Sequence, residues 1–314
     1  MGSVRPTSSE SDESKNRGIL DRLLARLSVQ VEEFALCTLS PGWRMSLPSS
    51  TEVFVKFVLE GQGVIRETSG KTHSIGPGHL IVVPKGVKYQ VETGNAIIHE
   101  LTIAESPEGS PPFRVSAGKR DEASLVIACG ILQAKYGRVI DVFQHLPELL
   151  VVDFSGLDTA RLAFREILEE QTADRPGRAT VTSALMTQCL TYLFRHLVQE
   201  QDDAPPWLSG LFEPRLARTL ELILSNPGAP HTITSLAQGA AMSRSSFSER
   251  FRLAFGHSPM SFVTHCRMLL AAELLDGGMR VSEVAEQIGF ASRNHFATAF
   301  RKHVGVSPSA YHPQ

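Results

Sequence analysis

Between Ile233 and Tyr311 one pattern is written twice, and no other feature of the chain limits its fold as tightly. The first copy reads ITSLAQGAAMSRSSFSERFRLAFGHSPMSF and the second VSEVAEQIGFASRNHFATAFRKHVGVSPSAY. Ala237 matches Ala285 and Met242 matches Phe290 at a shift of 48, and one extra residue in the second turn then makes the shift 49. At that shift Phe247 falls on Phe296, Phe251 on Phe300, Gly256 on Gly305, Pro259 on Pro308 and Phe262 on Tyr311. A repeat that keeps its apolar, glycine and proline positions is one supersecondary unit used twice.

Each copy parses into a short apolar-periodic helix, a turn of small residues and a second helix. Leu236, Ala237 and Ala240 carry the first helix of one copy, and Val284, Ala285 and Ile288 that of the other. Gly289 suits the positive φ such a turn needs, whereas Ala241 stands in its place in the first copy, at a strain of about 1 kcal/mol. Ser243 and Ser292, four residues before a Phe, are placed as N-caps of the second helices. Phe247 and Phe251 share one face there, as do Phe296 and Phe300. The opposite faces carry Arg244, Ser245, Ser248, Glu249 and Arg252, then Arg293, Asn294, His295, Thr298 and Arg301. Helix, tight turn and helix with a polar, hydrogen-bonding face is the plan of a helix-turn-helix.

The segments MSRSSFSERFRLAFGHSP, THCRMLLAAELL and IGFASRNHFATAFRKHVGVSPSAY resemble the AraC/XylS family of bacterial transcription regulators, over about the last hundred residues. The resemblance implies two modules joined by one long helix and seated in successive major-groove faces on one side of the DNA. Met260 to Leu275 is the candidate bridge; it spans roughly 24 Å, compatible with recognition helices about 34 Å apart. The ten polar residues named above are then the candidate DNA contacts. Glu249 departs from what is easiest beside phosphates. Its carboxylate can accept from cytosine N4 or pair with Arg250 or Arg252 along the helix, and the sequence leaves the two open.

Charge is divided in the same sense. The whole chain carries a net −2, yet residues 207–314 hold 10 Lys and Arg against 7 Asp and Glu, and the remainder 21 against 26. A mildly basic C-terminal part beside an acidic N-terminal part fits a DNA module coupled to something else. At 314 residues two domains are expected, each able to bury a core. Residues 1–17, rich in Ser, Glu and Asp, read as a disordered tail, and neither a signal peptide nor a membrane span is expected. Cys37, Cys129, Cys189 and Cys266 are far apart and form no CxxC, which argues against a zinc ribbon and suits a reducing, cytoplasmic setting.

From Val31 to Gln133 the chain breaks into short β-rich runs, FALCTL, VFVKFVLEG, GVIRE, HLIVVPKG, KYQVE, AIIHELTI and SLVIACGIL, which suggest an antiparallel sandwich or barrel. VLEGQGVI followed by IGPGHLIVVPKGVKY resembles the cupin barrel found ahead of AraC-type DNA modules. Metal-binding cupins place a His pair on the early strand and another His after the Pro-x-Gly turn. Here Phe54 and Lys56 stand in the early-strand region and Tyr89 follows Pro84-Lys85-Gly86. His73, His79 and His99 lack the paired spacing, so no metal and no other cofactor is expected. Lys56, Tyr89 and His99 are candidates for lining an effector pocket, or are ordinary barrel residues. Cys37 and Cys129, in an early and a late strand, are either a redox pair or two buried small hydrophobes.

From Val142 the chain is expected to leave the barrel. Helices are expected over Thr159–Gln171 and Thr180–Gln201, the second with a stripe of Val181, Leu185, Cys189, Leu193 and Leu197 that must be covered, by the barrel or by a second subunit. DDAPPW at 202–207 reads as a linker, and Glu213–Leu224 as the first helix of the DNA domain. The fold class expected is α+β and multidomain. A cupin-like barrel over 18–153 precedes a helical linker or dimerisation segment over 154–201, and an all-α double helix-turn-helix domain follows over 207–314. Nothing resembles a catalytic triad or a nucleotide loop, so no catalytic residue is named. The expected function is a promoter-binding regulator governed by a signal in the barrel. Double-stranded promoter DNA is the partner this implies, with RNA polymerase, a small-molecule effector and a second copy left open. A cupin-type enzyme tethered to DNA and a regulator without a ligand are the alternatives.

Overall fold

The computed structural model describes residues 18, 20–94, 96–103, 115–119, 122–143, 146, 148–173, 175–199 and 205–311. The tail expected over 1–17 and the 202–204 part of the linker lie outside them. Two compact units divide the chain: Leu27–Lys135 with Asp141–Glu200, and Gln201–Gln314 with Tyr136–Ile140 and the residues up to Arg26.

Among the described residues the first unit is built on twelve strands. In chain order they are β1 (Leu27–Leu39), β2 (Trp43–Leu47), β3 (Phe54–Gly61), β4 (Gly63–Glu67), β5 (Thr72–Ile75) and β6 (His79–Val83). There follow β7 (Tyr89–Glu92), β8 (His99–Thr102), β9 (Ser116–Ala117), β10 (Leu125–Tyr136), β11 (Ile140–Asp141) and β12 (Leu150–Asp153). One sheet runs β12-β6-β3-β10-β1-β9 with β11 on β10, and the other β5-β4-β7-β2-β8. Among the described ladders β1–β9 and β2–β8 are parallel and the rest antiparallel. The α+β fold class and the sheet-rich N-terminal half are as expected.

Side chains alternate across β3. Phe54 and Val58 point into the space between the sheets, where they join Cys37, Cys129, Tyr89 and Val91 in one core, and Lys56 shares their face. Phe57 points the other way and stacks on Phe164 with ring centroids 4.3 Å apart. Phe164 belongs to α1 (Asp158–Ala173), which with α2 (Arg178–Gln199) covers this outer face. Cover on both faces explains why β3 is buried from Phe54 through Leu59 and reads as a continuous apolar run. Most of the stripe on α2 is covered within the unit: Met186, Cys189, Leu190, Leu193, Phe194 and Leu197 are buried, while Val181 at its start stays exposed.

One expectation is corrected. The chain does not leave the sheets at Val142, because β12 pairs antiparallel with β6, Leu150 opposite Val82 and Asp153 opposite His79. That pairing joins residues about seventy apart in sequence, a non-local contact that local pattern does not encode. The short strands β2 and β5 were not legible either, as WRMSL and THSI are too brief to show alternation.

The second unit holds α3 (Pro206–Phe212), α4 (Pro214–Ser225), α5 (Ile233–Gly239), α6 (Arg244–Phe255), α7 (Pro259–Asp276), α8 (Val281–Gln287) and α9 (Arg293–Val304). Both repeats are helix-turn-helix pairs, α5–α6 and α8–α9. In the turns Gly289 has φ 79° and Ala241 φ 52°, so the alanine does occupy the left-handed region. Gly289 has a second reason to be glycine: a Cβ there would meet the Gly228 carbonyl oxygen at 2.5 Å. Among the described residues no helix is long and apolar enough to cross a membrane.

The two turns should therefore respond unequally to exchange. Gly289→Ala must strain φ and displace the Gly228 backbone, and should cost about 2 kcal/mol or more. Ala241→Gly relieves strain but loosens the unfolded chain, so it should change stability by no more than about 1 kcal/mol. Urea unfolding of both variants checks this; equal and opposite effects would contradict the difference in packing.

Candidate nucleic-acid interface

The second helix of each repeat is seated by aromatic rings. Phe247 and Phe251 of α6, and Phe296 and Phe300 of α9, are all completely buried. Phe251 meets Phe255 and Phe262 edge-on at 4.8 and 5.5 Å. Phe300 meets Phe296 and Tyr311 at 5.5 and 5.4 Å. The α6 N-terminus is capped by Ser243, whose side chain accepts from the Ser246 amide. Ser292 holds the same position before α9 without a side-chain cap bond. Both helices stop at a left-handed glycine, Gly256 and Gly305.

With the phenylalanines inward, the polar residues face out. Arg244, Ser245, Glu249 and Arg252 are exposed on α6, and Arg293, Asn294, His295, Thr298 and Arg301 on α9; Ser248 is half-buried. Ser248 donates to the Arg244 carbonyl at 2.8 Å and Thr298 to the Asn294 carbonyl at 3.0 Å. Each hydroxyl thus spends its proton within the helix and presents lone pairs outward, the state in which it accepts from a base amino group. Arg250 binds Glu213 at 2.6 Å. Among the described residues Glu249 pairs with neither Arg250 nor Arg252, so its carboxylate faces solvent.

The bridge, α7, is 18 residues long, roughly 27 Å at the helical rise. One residue on it was not singled out from the sequence. Arg267 donates through Nε to the Pro227 carbonyl at 2.9 Å and through Nη2 to the Ala229 carbonyl at 2.8 Å. Its guanidinium also lies 5.9 Å from the Phe290 ring in the turn of the second module. The loop before the first module and the turn of the second are therefore held to the same bridge. The available signal was a lone Arg inside the apolar run CRMLLAAELL.

A helix-turn-helix domain family matches residues 236–314, and a cupin family matches residues 19–199, more than half of the chain. The chain belongs to the AraC-type transcription regulators. It is similar over nearly its whole length to the transcriptional regulator AlkR of Acinetobacter baylyi, at 23% identity covering 94% of this chain and 99% of AlkR. Similarity to the transcriptional regulator MtrA of Neisseria gonorrhoeae is 27%, covering 93% and 97%. Among solved structures, the DNA-binding domain of AdpA in complex with a target DNA is 34% identical, covering 30% of this chain and 86% of that one, with a TM-score of 0.30.

In the cupin half of this AraC-type chain, the candidate effector residues part company. Lys56 and Tyr89 meet in the core, the Lys56 Nζ lying 5.4 Å from the Tyr89 ring. His99 is exposed on β8 beside Trp43, ring centroids 4.9 Å apart. Cys37 and Cys129 are brought together and share a hydrogen bond, and Lys56 Nζ lies 3.3 Å from Cys129 Sγ. His73 contacts Glu67 at 3.1 Å, and His79 Nδ1 lies 2.9 Å from the Gly76 carbonyl oxygen and 3.2 Å from the Gly76 amide. Among the described residues no group of three or more His, Cys, Asp or Glu side chains is disposed to hold a metal ion.

The two faces of the recognition helices should separate stability from contact. Phe247→Ala or Phe296→Ala should cost about 3–5 kcal/mol of folding stability. Arg293→Ala or Asn294→Ala should stay within about 0.5 kcal/mol of the parent. Thermal unfolding of the full chain distinguishes them, and a large shift in the exposed pair with none in the Phe pair would invert the assigned faces.

Proposed function

We propose that the chain is a cytoplasmic regulator that binds double-stranded promoter DNA with α6 and α9 as its reading helices. The observation that carries this is the pair of outward polar faces on one bridge whose length suits about one turn of DNA. The membership in the AraC-type family, and relatives named as regulators along nearly the whole chain, favour this over a cupin-type enzyme tethered to DNA. DNA reading is assigned to 207–314, signal reception to 18–153, and the helices of 154–201 to the connection between them. RNA polymerase, a small-molecule effector and a second copy of the chain are the further partners this reading carries.

Within the interface, Arg293 and Asn294 are the best equipped to specify bases, because bidentate donors discriminate most strongly in the major groove. Arg244 and Arg252 read the first half-site, with Ser245 and Ser248 as acceptors or phosphate contacts. Glu249, unpaired along its helix, repels phosphate and rejects bases other than a cytosine offering N4. His295, Thr298 and Arg301 complete the second surface.

Binding of the full chain to its selected site should weaken steeply with salt, as arginines and helix N-termini displace counterions. Asn294→Ala should relax preference at one or two base pairs, at about 1–3 kcal/mol against the best site. Glu249→Gln should tighten binding overall and blur selection in the first half-site. Binding-site selection on each variant reads both effects. An unchanged sequence preference for Asn294→Ala would mean that α9 touches only the backbone.

A further inference from the structure

The space between the two sheets holds a lysine with no carboxylate. Lys56 on β3 is 3% exposed, and among the described residues no Asp or Glu pairs with it. A buried ammonium needs an anion. The groups around it are Cys129 on β10, directly opposite in the ladder, Cys37 on the next strand β1, and Tyr89 on β7 of the other sheet. Burial pushes the Tyr89 phenol up to about 12, so the phenol keeps its proton. The anion is left to the thiols.

The two thiols titrate as a pair. The hydrogen bond from Cys129, against burial and helped by the Lys56 charge, brings Cys37 down to about 6. Burial, reinforced by the hydrogen bond and charge of Cys37, holds Cys129 well above the ordinary thiol value. Burial alone would discharge Lys56, but the neighbouring thiols and phenol outweigh it and its pKa stands above the ordinary lysine value. The resting state is therefore one thiolate, one thiol and one ammonium. Cys189 and Cys266 differ: burial pushes each up to about 12, which makes them inert.

A cavity of about 620 Å³ is lined by Leu47, Pro48, Arg66, Lys88, Tyr89 and Ile103. Tyr89 forms part of its wall, and the same ring is the neighbour of Lys56 Nζ. Tyr89 thus borders both the cavity and the lysine beside the thiols.

We propose that Cys37, Cys129 and Lys56 form an oxidant-reactive dithiol site, where a small uncharged two-electron oxidant of the type HO–X is reduced and the two sulfurs are joined. The Cys37 thiolate attacks the oxygen of HO–X; the S–O bond forms, the O–X bond breaks, and X⁻ leaves beside the Lys56 ammonium. The Cys129 sulfur then displaces the hydroxyl from the Cys37 sulfenic acid, its proton leaves with that hydroxyl as water, and the disulfide closes. Joining the sulfurs removes the anion of Lys56 and leaves its charge alone in the core, a costly arrangement that the unit must answer by losing the proton or rearranging. The site goes beyond the DNA-binding reading and does not rest on it.

The test uses the reduced full chain, treated with one equivalent of hydrogen peroxide or, separately, hypochlorous acid, then denatured, alkylated and mapped by mass spectrometry. The expected product is a Cys37–Cys129 disulfide, with Cys189 and Cys266 alkylated. The rate should level off near neutral pH, where an ordinary thiol would still be rising; the titratable groups facing Cys37 are Cys129, Lys56 and Tyr89. Lys56→Met should slow the reaction several-fold at neutral pH, since it removes the charge that helps to hold the Cys37 thiolate. Oxidation of all four cysteines at similar rates, full alkylation of Cys37 and Cys129, or a wild-type rate that keeps climbing into alkaline pH would each overturn the proposal. The wild-type chain alone decides among these if the variant does not fold.

Discussion

Four buried phenylalanines fix what this chain can show to another molecule. On α6 and α9 the rings lie four residues apart, on one face, and their seating sets the rotation of each helix about its axis. Once Phe247 and Phe251 are inside, Arg244, Glu249 and Arg252 have nowhere to go but outward, and the same holds for Arg293, Asn294 and Arg301 around Phe296 and Phe300. The polar surface is a consequence of the apolar one. The rings place each helix, so the exposed arginines of the outward face are not needed to seat it.

Two such helices serve one DNA only if their separation is held. The bridge α7 supplies the length, and Arg267 supplies the lock, tying the Pro227 and Ala229 carbonyls to a helix whose other side carries the second module. The close approach of Gly228 and Gly289 completes it, since backbone lies on backbone where any side chain would intrude. Ala241 shows the contrast: the same left-handed turn in the first module carries a Cβ, and there a modest strain is tolerated.

The sheet-rich unit is organised around a different constraint. Among the described residues its interior holds a lysine, Lys56, and the groups that answer its charge are sulfur and phenol. A carboxylate there would make a closed ion pair. A thiolate makes a reactive one, because the ammonium that stabilises the charge also stabilises the leaving anion of an attacked oxidant. The barrel thus keeps a charged, chemically soft centre beside the apolar side chains that fill the space between its sheets.

The sequence alone determined the repeat, both helix-turn-helix units, the polar face of each second helix and the cupin-like half. Each of these rests on local periodicity, turn chemistry or motif, which neighbours in the chain encode directly. Even the unusual φ of Ala241 was legible, because the second copy has glycine at that place. The tertiary structure alone decided the rest: that β12 returns to pair with β6, that Arg267 binds two carbonyls about forty residues away, and that Glu249 has no partner on its helix. It also decided that Cys37, Lys56 and Cys129 stand on three neighbouring strands, while His99 lies on the surface of the same unit. Strand order in a sheet is set by closure of the whole barrel, and a chain read one residue at a time gives no measure of which distant strands closure makes neighbours.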